Sequence, residues 1–254
     1  MPVQSMPARV AGKFRRLLLL GGLAALALPG VANAATVQYS LTDLLPGGQQ
    51  GGGFTLGDKR YSNFTFASSG SAPLTPGDVN VRVTSTETNA SVPGDDTYTL
   101  QFTFGLDAFP GERTDLVLCY QVDVLDPNQA INRVGLRFNG SVPSQGPGDA
   151  AASIEETVQT LDGSPVAPGS EDDVLVLNVF NDGPGRLSDD NSDSVAVNPA
   201  RSLLFCKDIL VSSRENGGYV AVSIADNFIV QVPEPGMIGL ASLVGLSLLA
   251  RRRR

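Results

Sequence analysis

Four runs of this chain alternate apolar and polar side chains with a period of two, and that period leaves few folds open. Tyr98, Leu100, Phe102 and Phe104 enclose Thr99, Gln101 and Thr103, and Leu116, Leu118, Tyr120, Val122 and Val124 enclose Gln121 and Asp123. Val134, Leu136 and Phe138 alternate with Arg137, and Val79, Val81 and Val83 with Asn80 and Arg82. Successive side chains of a strand point to opposite faces, so each run predicts a strand with one buried face. Residues 174–180 are nearly all apolar, which predicts a central strand covered on both faces. Stretches 203–211 and 219–224 add two strands, with weaker signals at 36–41, 63–67 and 151–161.

No part of the body sustains a helical apolar period. The 28 glycines and 17 prolines supply turns between about ten short strands. Residues 35–231 are therefore expected to be all-β: two packed antiparallel sheets, a β-sandwich or jelly roll. No internal repeat points to a propeller or solenoid.

Both ends differ from this body. Arg9, Lys13, Arg15 and Arg16 precede an apolar run at 17–28, which Pro29 and Gly30 close. Ala32-Asn33-Ala34 then offers the small-x-small pattern of a signal-peptidase site, so 1–34 reads as a secretory signal peptide cut after Ala34. As a helix the run is about 18 Å long, short of the ~30 Å hydrocarbon core. At the other end, Pro233-Glu234-Pro235 precedes an uncharged stretch, 237–250, and the chain closes on Arg251, Arg252, Arg253 and Arg254. A short apolar helix before clustered arginines is a stop-transfer arrangement, in which long Arg stems reach the cytoplasmic interface.

The order Pro-Glu-Pro, apolar helix, basic end resembles the PEP-CTERM sorting signal of Gram-negative bacteria, here over 232–254. The resemblance implies recognition by an exosortase, an integral-membrane protease. It also implies delivery of the body to the cell surface or the extracellular polysaccharide matrix, through an inner-membrane intermediate. Three body segments look like recurring features of one group of such proteins, without an activity attached: Asp58 to Phe64, Ser153 to Val158, and Lys207-Asp208-Ile209.

Charge and missing residue types narrow the chemistry. Eight of the 18 basic residues lie in the two ends, while all 26 acidic residues fall within 35–235, so that stretch carries a formal charge of −16. Such a body repels phosphate backbones, which sets nucleic acid aside as a partner. The chain has no histidine, which removes His-based nucleophile pairs and His-ligated zinc. It has no tryptophan, so sugar stacking would fall to its five tyrosines.

Cys119 and Cys206 are the only cysteines. In an exported protein they form either one disulfide or two buried thiols, and the sequence leaves both open. Asp189, Asn191 and Asp193 stand at positions one, three and five of a calcium-loop pattern. Ser194 and Ala200 occupy the places where an EF-hand needs Gly and Glu, leaving an irregular calcium loop or a solvated acidic loop. No other cofactor is indicated. Glu155-Glu156 and Asp172-Asp173 invite a glycosidase reading, but neighbours in a strand face opposite ways, so neither doublet is itself an acid–base pair.

The expectation is a non-catalytic exported protein processed by signal peptidase and exosortase, held at the membrane by its C-terminal helix before processing. The alternatives are a secreted carbohydrate-binding sandwich that meets extracellular polysaccharide and, behind it, a secreted glycosidase.

Overall fold

The computed structural model describes residues 34–86, 97–142, 150–182 and 190–233. Twelve strands appear among them: β1 (Ala34–Ser40), β2 (Gly53–Leu56), β3 (Lys59–Gly70), β4 (Asn80–Thr86), β5 (Thr97–Ala108), β6 (Arg113–Val124), β7 (Gln129–Phe138), β8 (Ala150–Thr160), β9 (Val174–Asn181), β10 (Ser192–Ala200), β11 (Ser202–Ser213) and β12 (Val220–Pro233). One turn of helix, α1 (Leu41–Leu44), and a 3-10 turn at Pro76–Asp78 accompany them. The strands form two six-stranded antiparallel sheets. Sheet A has the order β1-β4-β5-β12-β7-β10 and sheet B the order β2-β3-β6-β11-β8-β9. The all-β sandwich expected from the alternation is the fold; the terminal helices expected beside it lie outside the described residues.

The core follows the period of two. On β5 the residues Tyr98, Leu100, Phe102, Phe104, Leu106 and Ala108 are buried, and on β6 Leu116, Leu118, Tyr120, Val122 and Val124. Sheet A lays one such face on the corresponding face of sheet B. Four aromatic rings meet at the centre: Tyr120 stacks on Phe205 with centroids 5.1 Å apart, and Phe102 and Phe64 approach it at 5.6 and 5.8 Å. Tyr61 and Phe64 both point inward although they are three apart. A bulge between Ser62 and Thr65 shifts the register, and Asn63 takes the left-handed conformation there at φ 55°.

One expectation needs correction. The apolar run 174–180 predicts a central strand, but β9 is the outermost strand of sheet B. Val174 and Val176 stand on its open face, 37% and 48% exposed, while Leu177 and Val179 are buried. The continuous apolar run reflects an edge strand with valines on both faces.

The strand directions give the sandwich two distinct ends. Ala34 pairs with Thr86, Thr86 with Thr97, and Thr97 with Val230. The first described residue and the last strand's exit therefore share one end, called the base. At about 3.3 Å per residue the 14 residues of β12 run roughly 45 Å from the opposite end, the tip, down to Pro233. Proline is tolerated at a strand end, where its missing N–H breaks no ladder.

Candidate functional site

Two lysines lie inside the sandwich. On β11 the apolar phase reads Leu203, Phe205, Lys207, Ile209, Val211, so the lysine side chain enters the core with its apolar neighbours and is 0% exposed. Register sets Glu156 of β8 directly opposite it. Glu156 also sits in an apolar phase, between Ile154 and Val158, and is 0% exposed. Burying a charge is costly unless it is paired, and Lys207 Nζ donates to Glu156 Oε2.

The pair is joined from the other sheet. Asn227 of β12, also buried, donates from Nδ2 to Glu156 Oε1 at 2.6 Å and Oε2 at 2.9 Å, and to the Gly135 carbonyl at 3.2 Å. Its Oδ1 accepts from the Tyr120 hydroxyl at 2.6 Å. Burial pushes the Glu156 carboxyl above its ordinary range, against the opposing pull of Lys207 and Asn227. Burial likewise pushes the Lys207 amine down, against the charge of Glu156. Both shifts favour an uncharged pair, amine beside carboxylic acid. The Tyr120 hydroxyl is pushed well up by burial and so stays a donor.

The second lysine, Lys59 at the start of β3, also spans the sheets. Its Nζ donates to Asp58 Oδ1 at 2.5 Å and to Gln231 Oε1 of β12, and it lies 4.5 Å from the Tyr98 ring centroid. Gln231 Nε2 donates to Asp58 Oδ2 at 2.8 Å and the Tyr98 hydroxyl to Asp58 Oδ1 at 2.8 Å.

The residues singled out from sequence fall elsewhere. Cys119 and Cys206 are opposite one another on β6 and β11 and form a disulfide, with Cα atoms 4.1 Å apart, on the outer face of sheet B. Of the calcium-loop trio, Asp189 lies outside the described residues, Asn191 precedes β10 and Asp193 lies on it. The Asn191 carbonyl accepts from the Phe138 N–H, and Asp193 Oδ2 accepts from the Asn178 N–H at 3.1 Å, covering the open edge of β9. No acidic or cysteine cluster suited to a metal occurs among the described residues. Glu155 faces solvent and Glu156 the core, as adjacent strand residues must. Asp172 and Asp173 sit in the β8–β9 loop, where their carbonyls accept from Val166 and Thr160. Of the sorting residues, Ala34 opens β1 and Pro233 closes β12. Ala32, Glu234, Pro235 and Arg251 to Arg254 lie outside the described residues.

The surface offers aromatic rings at one place above all. Tyr61, Tyr98 and Tyr120 are buried, so three of the five tyrosines are withdrawn from any ligand. At the tip, Phe109 and Tyr219 are 54% and 42% exposed and face one another with centroids 5.3 Å apart at 51°. Glu112 Oε2 accepts from the Phe109 N–H, and the Gly111 N–H donates to the Ser213 carbonyl, which holds the tip turn against β11. Gly111 has φ +85°, a conformation that favours glycine. Burial, with the nearby Asp107 carboxylate, raises the Tyr219 hydroxyl.

The outer face of sheet A is polar. Gln38, Arg82, Gln101, Asp226, Arg137 and Ser192 form one row across all six strands. Beside it, Phe228 lies over Gly135, where any Cβ would strike the ring, and Arg137 stands 4.8 Å from the ring centroid.

No known family profile matches the chain, and no curated protein matches it. Solved structures with some likeness include the carbohydrate-binding module TmCBM61 in complex with beta-1,4-galactotriose. It is 13% identical at a TM-score of 0.30, over 66% of this chain and 88% of that one. The infectious bursal disease virus Gx strain structure is 14% identical at a TM-score of 0.31, over 82% of this chain and 54% of that one. The family 11 xylanase from Neocallimastix patriciarum is 8% identical at a TM-score of 0.21, over 78% of this chain and 100% of that one. Likeness of this degree carries no argument about ligand or chemistry.

Proposed function

We propose that the chain is an exported, non-catalytic module of the cell surface or extracellular matrix, brought out by its signal peptide and sorted through its PEP-CTERM-like end. The observation that supports this most is the placing of the two junctions. The signal-peptide site at Ala34 and the strand that leads into Pro233 leave the sandwich at the same end, the base. A body tethered by its C-terminal end would then project from the membrane with its tip outward. The four terminal arginines would hold that end on the cytoplasmic side, since carrying each through hydrocarbon costs about 2.5–3.5 kcal/mol. Mass spectrometry of the protein from its native host tests this. A body starting near Ala35 and lacking Arg251 to Arg254 is expected, with a longer, membrane-held form when Glu234 is replaced. An intact C-terminus in cells that express an exosortase would overturn the sorting reading.

Phe109 and Tyr219 favour a second reading, carbohydrate binding at the tip. A sugar ring stacks its C–H face on an exposed aromatic, and Asp107 and Glu112 supply acceptors for its hydroxyls. A glycan array probed with the full chain and with Phe109→Ala/Tyr219→Ala should give a signal that the double variant loses. A signal equal in both would place any glycan elsewhere.

A further inference from the structure

The cluster around Lys207 holds three parts of a bond-forming reaction in one dry place. An amine and a primary amide share one carboxylate: Lys207 Nζ and Asn227 Nδ2 both donate to Glu156 Oε2. They are thus no farther apart than two hydrogen bonds laid end to end. The amide carbonyl is already polarised, because Asn227 Oδ1 accepts from the Tyr120 hydroxyl. We propose that Lys207 and Asn227 join in an amide cross-link between the two sheets, formed by the folded chain itself.

The step balances without any added reagent. The Lys207 amine attacks Asn227 Cγ, and the carbonyl electron pair moves onto Oδ1, where the Tyr120 O–H stabilises the developing charge. The Nζ–Cγ bond forms and the Cγ–Nδ2 bond breaks. One hydrogen passes from Nζ to Nδ2 through Glu156, which returns to its starting state, and ammonia leaves. Glu156 touches both nitrogens between which the hydrogen must move, at 2.6 and 2.9 Å from Nδ2 and in contact with Nζ. Holding reactants in such geometry replaces a bimolecular encounter with an intramolecular step.

The surroundings suit the reaction. Lys207 and Glu156 are 0% exposed, and Asn227 and Tyr120 1%, so bulk water does not compete for the amide carbon. A solvated lysine is an ammonium and no nucleophile. Here burial favours the free amine and the protonated carboxyl, which are the forms the step uses. Phe205 and Phe102 against Tyr120 keep its hydroxyl aimed.

The test is the mass of the purified full chain, with its termini mapped and its disulfide reduced. The folded wild type should be lighter than its sequence by one ammonia. Tryptic digestion should leave the bond after Lys207 uncut and yield a branched peptide joining the segments of Lys207 and Asn227. Lys207→Arg and Glu156→Gln should keep the full mass. A folded wild-type chain at full mass overturns the proposal. So does an ammonia loss without the branched peptide, which would come from cyclisation of an asparagine elsewhere. The wild type alone decides between these outcomes, so the test holds even where a variant fails to fold.

Discussion

The two buried lysines have the same three kinds of neighbour, but the carboxylates beside them are shifted in opposite directions. Each meets a carboxylate from its own sheet and an amide and a tyrosine within reach: Glu156, Asn227 and Tyr120 around Lys207, Asp58, Gln231 and Tyr98 around Lys59. They differ in where the carboxylate stands. Glu156 is sealed, and burial raises it. The Asp58 side chain is 22% exposed. Burial pushes its carboxyl up too, but the hydrogen bond and charge of Lys59, with Tyr98 and Gln231, outweigh that and hold it below its ordinary value. A carboxylate that keeps touching water keeps its charge more readily than a sealed one. Partial exposure of the carboxylate is what separates the two clusters.

The largest effect expected from this contrast is on stability. Glu156→Ala strands the buried Lys207 amine and Asn227 amide without their shared partner and should cost up to about 3 kcal/mol by urea denaturation of the full chain. Asp58→Ala should cost clearly less, because Lys59 keeps Gln231 and the Tyr98 ring. Equal losses would break the comparison. Replacing Cys119 and Cys206 by alanine should cost roughly 2–4 kcal/mol and leave the ammonia loss unchanged. The disulfide ties two neighbouring strands of one sheet from outside, so a cross-link that vanished with it would mean that the buried trio is not sufficient.

Smaller, but more diagnostic, is the sign of the pH dependence. Asp58 is depressed from 3.8, so its contribution is present above that value and is lost as pH falls through the folded one. Glu156 is raised from 4.5, so its contribution is full below that value and is lost as pH rises through the folded one. Asp58→Asn should flatten the acid side of the stability curve, and Glu156→Gln the decline on the rising side. Two shifts of the same sign would refute the assignment of states. The smallest readout is a null one: after unfolding, trypsin should cut after Lys59, with no second ammonia lost. A Lys59–Gln231 branch would show that exposure of the carboxylate is not what decides.

Much of the sandwich is legible in the sequence because a period of two needs no partner to be seen. Tyr98 to Phe104 and Leu116 to Val124 declare their buried faces in isolation. Strand β10 and the second half of β12 give no such signal, since Ser192 to Ala200 has few large apolar residues and Ala225 to Gln231 mixes Asp226, Asn227 and Gln231 into its pattern. β10 pairs only with β7, far away in the chain. The reactive cluster does leave a trace along the chain: Lys207 and Glu156 each stand in the apolar phase of a strand, where a charge demands a partner. The segments holding them, and the one holding Lys59, stand out in the sequence only as recurring features without a role. Their convergence on Asn227 and Gln231 is invisible there, because the fit of one sheet onto another leaves no period along the chain. The withdrawal of three tyrosines into the core is hidden in the same way until the sheets close.

Cys206 and Lys207 are consecutive, and on a strand consecutive side chains point to opposite faces: one is bonded outward to Cys119, the other inward to Asn227. Tension applied at the end of β12 would enter at Asn227, cross to Lys207, pass one peptide bond to Cys206 and leave through Cys119. The chain between the two cysteines, which stand 87 positions apart in sequence, would be bypassed, together with the segment that crosses from Lys207 to Asn227. Such a chain would bear load through covalent bonds alone from its tail to the middle of β6, while the strands around that path carried none. A protein pulled by one end at a cell surface would then yield in β1 to β5 first, and its length under force would be set by a short-circuited contour.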